Sequence, residues 1–385
     1  MRLLVISHTP HYRRDGVVVG WGSTVREIDE LSTLFDSVVH LAPSYPGTAP
    51  GSAMAYKSSS IRLRPVPPAG GERLRDKICI PMRYPCYARA ILQERRQADV
   101  IHVRAPANIS LLALALLWFL GSPKLRWAKY AGDWNRRVGE PVSYRLQRWW
   151  LLRGWHRGVV TVNGRAPKQP HHVHSFLNPC LTRAELEDGL VASRGKQLCQ
   201  PVQLVFVGRI ESAKGADLCL EILARLEQSG FLAQLDLIGE GAERAQFEQK
   251  ARDLGVFEHV KFHGGLPRDT LGQFYERAHF ILLPSDSEGW PKVLSEAMAY
   301  GVVPIASAVG SIPEYLTHFS TGQSIASRKS LLFSAAIDGY LRAPSRWQEH
   351  SRNAVKAAKQ FSYSHYLRAV ANLLELPAVV EPTPP

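Results

Sequence analysis

The chain has 385 residues, with 47 Lys and Arg against 34 Asp and Glu and a formal net charge of +13. Its length predicts two domains, and a hydrophobic content of 45% is enough to bury a core in each. The five cysteines are odd in number and have no paired metal-ligand spacing, which argues against a disulfide scaffold and a zinc site.

The basic excess lies in the first half of the chain. Residues 1–195 hold 28 basic and 14 acidic residues, whereas residues 196–385 hold 19 and 20. This asymmetry indicates that the first half meets an anionic surface or acceptor, although a generally basic proteome would give the same excess. The apolar run at residues 3–6 is too short for a secretory signal, and the run at 109–120 is too short to span a bilayer.

The chain begins with a pattern typical of a βαβ unit. Residues 3–7 predict a buried strand, residues 8–22 a loop, and residues 23–35 a helix. Gly20-Trp21-Gly22 lacks the third glycine of a dinucleotide-binding fingerprint. A second strand is predicted at 38–42, and residues 43–71, rich in Pro, Gly and Ser, are expected to be irregular.

Two further strands, at 100–103 and 125–130, enclose a helix at 109–120. His102 is expected to be a buried strand residue rather than a base. Residues 144–157 interleave arginine with tryptophan, and three interpretations stay open: a packed helix, an interfacial membrane helix, or a nucleic-acid patch.

The second half alternates short apolar runs with helical patterns, which predicts a parallel sheet covered by helices on both faces. The strands are expected at 204–207, 235–238, 260–262, 280–283 and 302–307. The charged stretch 181–200 before them is expected to be an irregular linker.

Two cations follow the first of these strands. Gly208 and Arg209 come directly after it, and Lys214-Gly215 stands at the entry to the next helix. Ligands of open α/β sheets bind at this edge, so the two cations suit a pyrophosphate. Two solvated side chains would be the default interpretation of an arginine and a lysine elsewhere.

Residues 280–307 predict a strand, a turn and a helix, and the sequence contains a start signal and a stop signal for that helix. Pro291 suits a first helical position, and Gly301 lies just past the helix end. Glu288 and Glu296 bracket the helix start, and Gly289 lets a ligand approach the backbone. Taken alone, the two glutamates have two interpretations. In one, Glu288 interacts with the helix dipole and Glu296 is a solvated charge; in the other, a carboxylate accepts hydrogen bonds from sugar hydroxyls.

With its context, this stretch resembles the C-terminal domain of family-four glycosyltransferases of the GT-B fold, also called glycosyl transferases group 1. The likeness rests on the glutamate pair followed by Ala297-Met298-Ala299-Tyr300-Gly301, and it covers nearly all of residues 200–316. It implies an α/β protein with two Rossmann-like parallel-sheet domains facing each other across a cleft. The implied parts are an acceptor domain at 1–180, a nucleotide-sugar domain at 201–360 and a helix at 361–376 returning to the first domain. The charged linker at 181–200 separates the domains, and the proline-rich tail at 377–385 is expected to be disordered.

The resemblance also implies roles for individual residues. Arg209 and Lys214 would neutralise the diphosphate, Glu296 would hold the ribose, and Glu288 would position the donor sugar. Glu288, Arg209 and Lys214 are thus the implied catalytic residues, and the remaining donor-binding positions are Gly22, Gly208, Gly239, Leu266, Gly289 and Trp290. Trp290 would act through its backbone, Leu266 would touch the nucleobase, and Gly22 would face the donor across the cleft. Arg104 stands where the family often has a histidine, which puts a catalytic histidine in doubt.

The resemblance thus implies a retaining hexosyltransferase that uses a UDP- or GDP-sugar and a glycan or lipid-linked acceptor in polysaccharide or glycolipid biosynthesis. We expect no metal, no other cofactor and no nucleic-acid partner. We expect a cytoplasmic protein that associates with the inner face of the cytoplasmic membrane. The alternatives are a sugar-nucleotide epimerase, a glycosyl phosphorylase, or a non-enzymatic basic protein bound to membrane or nucleic acid.

Overall fold

The computed structural model describes residues 1–70, 80–134, 140–164 and 169–376. The predicted disordered tail at 377–385 lies outside these residues. The chain divides into two compact units: unit 1 comprises Met1–Phe176 and Tyr366–Pro385, and unit 2 comprises Leu177–His365.

Unit 1 is built on a seven-stranded sheet in which every pairing is parallel. The strands are β1 (Arg2–Ile6), β4 (Ser37–Pro43), β6 (Ile61–Val66), β7 (Val100–Ala105), β8 (Leu125–Tyr130), β9 (Val159–Val162) and β10 (Val173–Ser175). Their order in the sheet is β10-β9-β8-β7-β1-β4-β6. β1 pairs with β4 on one side and β7 on the other, so the order reverses at β1.

The helices of unit 1 cover both faces of this sheet, as expected for strands that are apolar on both sides. Leu3, Leu4, Val5 and Ile6 of β1 are all buried. Leu4 and Ile6 belong to one hydrophobic cluster and Leu3 and Val5 to another, one on each face. The helices are α1 (Gly22–Leu31), α2 (Ile80–Glu94), α3 (Asn108–Phe119) and α4 (Val142–Leu152).

Two expectations for unit 1 are wrong. The loop at 8–22 contains a hairpin of β2 (His11–Arg14) and β3 (Val17–Trp21), which pairs with β5 (Ala53–Ala55) in a small antiparallel sheet. The irregular stretch at 43–71 contains β6, an edge strand that is only partly buried. Its arginines and Pro65 hide the apolar pattern, and an edge strand tolerates a proline that a central strand would not.

Unit 2 has a six-stranded sheet, again with parallel pairings throughout. The strands are β11 (Val202–Val207), β12 (Ala233–Ile238), β13 (Val260–Gly264), β14 (Phe280–Leu283), β15 (Val303–Ser307) and β16 (Gln323–Ile325). Their order is β13-β12-β11-β14-β15-β16, and it reverses at β11, which lies between β12 and β14. Such a reversal opens a crevice at the carboxyl ends of the strands.

The first helix of unit 2, α5 (Arg183–Ser193), lies where an irregular linker was expected, so that expectation is wrong for these residues. A capping box explains the helix start: Thr182 Oγ1 accepts from the Glu185 N–H, and the Glu185 carboxylate accepts from the Thr182 N–H. The remaining helices are α6 (Ala216–Gln228), α7 (Arg244–Asp253), α8 (Gly272–Arg277), α9 (Lys292–Ala299), α10 (Ile312–Phe319), α11 (Ser330–Arg342), α12 (Pro344–Ala358) and α13 (Tyr363–Leu373).

α13 begins in unit 2 and ends in unit 1, because residues from Tyr366 onward group with unit 1. Tyr366, Val370 and Leu374 are buried there with Leu3 and Val5 of β1. Among the described residues, no helix combines the length and the apolar character that crossing a membrane requires.

Candidate functional site

Glycines line the carboxyl edge of the unit 2 sheet. Gly208 follows β11 and donates its N–H to Ile238 O at 3.0 Å, while Gly239 follows β12 and donates to Gly264 O at 2.8 Å. Gly239 has φ +145°, and a Cβ there would lie 1.7 Å from Gly208 O, so no side chain fits. At this edge the loops after β11 and β12 therefore pack backbone against backbone, which only glycine allows.

Lys214 enters this edge from a tight turn. It ends the short 3₁₀ helix Ser212–Lys214, and Gly215 follows with φ +81°. A Cβ on Gly215 would lie 2.4 Å from Pro284 O, so only glycine allows the two loops to approach this closely. As a result Lys214 Nζ donates to Glu288 Oε1 at 2.6 Å, which joins two of the predicted catalytic residues.

Arg209, the third predicted catalytic residue, is not joined to this pair. Its guanidinium donates to Glu211 Oε1 at 2.8 Å, and the side chain is 67% exposed. A surface ion pair of this kind contributes little to stability, so the arginine can exchange Glu211 for a ligand at small cost.

The loop from 284 to 291 leads from β14 into α9, and Pro291 is the N-cap residue of the helix. Gly289 O accepts from both the N–H and the hydroxyl of Ser311, each at 3.0 Å. The Trp290 ring is buried, stacks on Phe361, and donates its indole N–H to Ser295 Oγ at 2.7 Å. The Trp290 side chain therefore anchors the loop, and Trp290 O accepts from Asn178 Nδ2 at 3.4 Å. The predicted backbone contact with a donor sugar stays a prediction.

Glu296, the predicted ribose ligand, lies in α9 and is 5% exposed. Its Oε1 accepts from Nη1 of Arg268, and its Oε2 accepts from Tyr275 OH at 3.4 Å. Burial raises the pKa of Tyr275 well above its usual value, and the Glu296 charge adds to this, so the phenol remains a donor. Both carboxylate oxygens are thereby fixed in direction by protein donors.

The other predicted donor-binding residues lie in two places. Leu266 is partly buried against the unit 2 core, just after β13. Gly22 begins α1 in unit 1, and Ser52 O would lie 2.7 Å from a Cβ there, so a side chain is excluded. The donor contacts of both residues stay predictions.

Two arginines that sequence reasoning missed hold the site loops together. Arg268 reaches Glu296, Glu185 Oε1 at 3.1 Å and Cys180 O at 2.8 Å. Arg328 donates to Pro284 O at 2.8 Å, to Ser212 O at 2.7 Å, and to Asp286. Arg268 follows β13 and Arg328 follows β16, so each lies in a loop after the carboxyl end of a strand. Ligands of open α/β sheets bind at such loops, and a cation there is the sequence signal that could have identified both residues.

The acidic pair Asp286 and Glu288 could in principle hold a metal ion. Each carboxylate instead accepts from a cation, Arg328 and Lys214 respectively. Within the residues that the structure describes, no three His, Cys, Asp or Glu side chains converge as metal ligands would. Metal independence stays a prediction.

In unit 1, Arg104 is part of a buried ion cluster. Glu27 Oε1 accepts from Arg104 Nη1 and Lys129 Nζ, both at 2.6 Å, and from Tyr366 OH at 3.3 Å. His102 is fully buried and stacks on Trp127 with ring centroids 3.7 Å apart, which confirms it as a strand residue of the core. Arg104 is therefore held by structure rather than free for proton transfer.

Residues 196–361 match the model of the glycosyl transferases group 1 family. Among curated proteins, the chain is 29% identical over 179 residues to D-inositol 3-phosphate glycosyltransferase 2 from Catenulispora acidiphila. That alignment covers 44% of this chain and 42% of the relative, so the likeness spans less than half of either protein. The predicted resemblance is thus confirmed for the C-terminal unit.

Solved structures match over nearly the whole chain. Sucrose-phosphate synthase from Thermosynechococcus elongatus superposes with a TM-score of 0.72 at 18% identity, covering 97% of this chain and 98% of that one. HepE from Anabaena, solved with UDP and glucose, superposes with a TM-score of 0.68 at 15% identity over 97% and 99%. At such identities the likeness shows the fold alone, and it confirms two Rossmann-like α/β units of the GT-B class.

Proposed function

We propose that this chain, whose residues 196–361 match the model of the glycosyl transferases group 1 family, moves a sugar from a nucleotide-diphosphate sugar to a glycan or lipid-linked acceptor. The observation that carries the proposal is the Lys214–Glu288 pair at 2.6 Å beside the glycine-lined edge of the unit 2 sheet. A fixed cation and a carboxylate beside the carboxyl ends of a parallel sheet match a diphosphate with an attached sugar.

The roles of the cations follow from the charge that develops during transfer. The bond between the sugar C1 and the diphosphate oxygen breaks, and Lys214 and Arg209 stabilise the negative charge that appears on the leaving group. The acceptor oxygen bonds to C1 on the same face, which retains the anomeric configuration. The acceptor's hydroxyl proton passes to the departing diphosphate, so the step needs no protein base.

Glu288 and Glu296 have distinct positions and distinct roles in this proposal. Glu288 accepts from Lys214 at the crevice and would orient the donor sugar hydroxyls. Glu296 is held from behind by Arg268 and Tyr275, and its remaining lone pairs would accept from the ribose hydroxyls. UDP- and GDP-sugars are both candidate donors, and the UDP in the HepE structure favours testing UDP-sugars first.

We expect transfer to proceed without a divalent metal, because the cations that pair with Asp286 and Glu288 also supply the charge a metal would bring. Turnover measured in EDTA should equal turnover in buffer that contains added Mg²⁺ or Mn²⁺. Loss of activity in EDTA that Mn²⁺ or Mg²⁺ restores would contradict this and return Asp286 and Glu288 to a metal site.

The working location proposed for the enzyme is the inner face of the cytoplasmic membrane, in polysaccharide or glycolipid biosynthesis. The net charge of +14 in residues 1–195 supports it, because anionic lipid attracts basic surfaces. A lipid-linked acceptor would be presented at that surface.

A ligand screen tests the function directly. A donor that binds the native state raises the unfolding temperature, by a free energy of about 2.7 kcal/mol when its concentration is a hundred times its Kd. We expect one class among UDP-, GDP- and ADP-sugars to give such a shift, followed by transfer to an acceptor mixture. Interconversion of the donor sugar would favour an epimerase, and phosphate-dependent release would favour a phosphorylase. A chain that binds no nucleotide in any of these assays would overturn the proposal.

A further inference from the structure

The outward face of α4 is apolar where a surface helix is normally polar. Val142, Leu146 and Trp149 recur at spacings of four and three residues, which places them on one side of the helix. Their exposed fractions are 75%, 40% and 42%. The opposite side of α4 is buried through Gln147, Arg148 and Leu151. The helix thus already has a packed face, and a second apolar face needs another explanation.

Aromatic residues beside α4 extend this apolar surface. Trp118 and Phe119 end α3, and Phe119 is 79% exposed. Trp155 joins the two helices, because its ring stacks on Trp118 at 5.0 Å and meets Trp149 edge-on at 4.6 Å. The tryptophan face is the contiguous surface formed by Trp118, Phe119, Val142, Leu146, Trp149, Leu152 and Trp155.

The charges around the tryptophan face are basic. Arg145, Arg153 and Arg157 are exposed on or just after α4, and Lys124 is exposed shortly after α3. Glu140 is the one carboxylate between residues 140 and 164, and it pairs with Arg148, whose side chain is only 8% exposed. Arg148 therefore belongs to the packed side of the helix and is not part of this surface.

We propose that the tryptophan face docks onto an anionic lipid bilayer. Tryptophan and phenylalanine side chains lie favourably at the depth of the headgroups, and arginines beside them meet anionic headgroups. Acidic nucleic acid would pair with the arginines but would leave the aliphatic Val142, Leu146 and Leu152 against water. A bilayer satisfies both the apolar surface and its basic rim. This inference rests on the proposed membrane location and names the surface that produces it.

Sedimentation with vesicles tests the docking surface on the full chain. The protein should bind phosphatidylcholine vesicles that contain about a third phosphatidylglycerol, less so at high salt, because exposed charges are screened over about 8–10 Å at physiological ionic strength. Each arginine near an anionic surface contributes about fivefold to partitioning, so Arg145→Gln/Arg153→Gln/Arg157→Gln should lose on the order of 100-fold. Phe119→Ser/Trp149→Ser should also lose binding and should reduce quenching of tryptophan fluorescence by brominated lipid.

Matched controls come from unit 2. Arg183, Arg342 and Arg352 are exposed there, so replacing all three with Gln removes the same charge. Leu331→Ser/Leu332→Ser removes exposed apolar area in the same way. Both controls should bind vesicles like the wild type.

Three outcomes would overturn the proposal: no vesicle binding at low salt, equal losses in the unit 1 variants and their controls, or a tryptophan face that mediates dimerisation of the chain instead. Nucleotide affinity, measured by calorimetry on the same variants, should not change. A wild type that binds vesicles but no nucleotide would count against the proposed function and leave the docking surface standing.

Discussion

Lys214 and Arg209 occupy different electrostatic surroundings, although both follow the same strand. Lys214 is partly buried and paired with Glu288, whereas Arg209 is mostly exposed and paired with Glu211. A charge fixed in a shielded position stabilises a developing anion more than a mobile surface charge does. The lysine should therefore carry the larger share of leaving-group stabilisation.

Lys214→Ala should lower kcat by about 10²–10³-fold, the range found when one preorganised donor to a developing anion is removed. Arg209→Ala should also remove most transfer, with a smaller loss. Turnover under saturating donor measures the effect, and the unfolding temperature shows whether the fold is intact. Lys261→Ala, at an exposed position of β13, is the control and should behave like the wild type. Near-normal turnover of both site variants would remove the cations from the mechanism.

Glu296→Ala should weaken nucleotide binding, because a hydrogen bond to a charged group contributes about 1.5–3 kcal/mol. Arg268→Gln should weaken it as well, since Arg268 sets the direction of that carboxylate. If Arg268 acts through Glu296, the Arg268→Gln change should have no further effect in a Glu296→Gln background. Calorimetry with the nucleoside diphosphate measures this cycle. Arg277→Gln, which breaks an ion pair to Asp236 from α8, serves as the control.

Two results distinguish the role of Glu296 from the role of Arg268. Unchanged affinity in Glu296→Ala would contradict the ribose role itself. Additive losses from Arg268→Gln and Glu296→Gln would leave the ribose role in place and assign Arg268 an independent contact.

Elements buried on both faces were predictable from sequence because their apolar runs are continuous. β14 occupies Phe280–Leu283 and β8 occupies Leu125–Tyr130, both as predicted. β6 was missed because an edge strand exposes half of its side chains and its pattern is interrupted by Arg and Pro. α5 was missed because Gly189 is its one buried residue, although Thr182 and Glu185 carry a capping-box spacing that could have revealed its start.

α5 packs onto α9 through that glycine, which leads to an element-scale prediction. A Cβ on Gly189 would lie 2.5 Å from Ala299 O, a backbone atom that cannot move alone. Gly189→Ala should therefore destabilise unit 2 by about 1–3 kcal/mol, as overpacking does, despite a helix-propensity gain of about 1 kcal/mol. Gly339→Ala in α11 meets no atom within 4 Å and should stabilise instead. Denaturant unfolding followed by circular dichroism compares the two variants. A change in unfolding free energy of the same sign in both would refute the packing explanation.

At the scale of the whole molecule, the sequence predicted that the candidate site lies at the carboxyl ends of the unit 2 strands. It did not predict the contacts that hold the loops of the site together. Lys214 and Glu288 are 74 positions apart, and the resemblance of the second half to a known family gave both. Arg268 and Arg328 act through long-range contacts to backbone carbonyls, which leave no mark on local patterns. The arginines and tryptophans of the proposed docking surface in the first half were visible in sequence, but only the structure separates exposed Arg145 from buried Arg148.

Buried neutral histidines in both units predict that the whole molecule is sensitive to acid. Burial lowers the pKa of His11, His156 and His279 to about 4, against an ordinary value of 6.5. The unfolded chain therefore takes up these protons first, so the stability they contribute is complete above pH 6.5 and is lost as the pH falls toward 4.

At pH 5 each of these histidines should reduce the unfolding free energy by roughly 2 kcal/mol relative to neutral pH. Differential scanning calorimetry between pH 5 and 7.5 should show a steep fall in the unfolding temperature on the acidic side. His156→Gln should flatten that fall, because the amide has no proton to gain, whereas His171→Gln at an exposed position should leave it unchanged. A pH dependence identical in both variants would show that protonation of buried histidine does not limit acid stability, and paired carboxylates such as Glu27 would then be the groups to test.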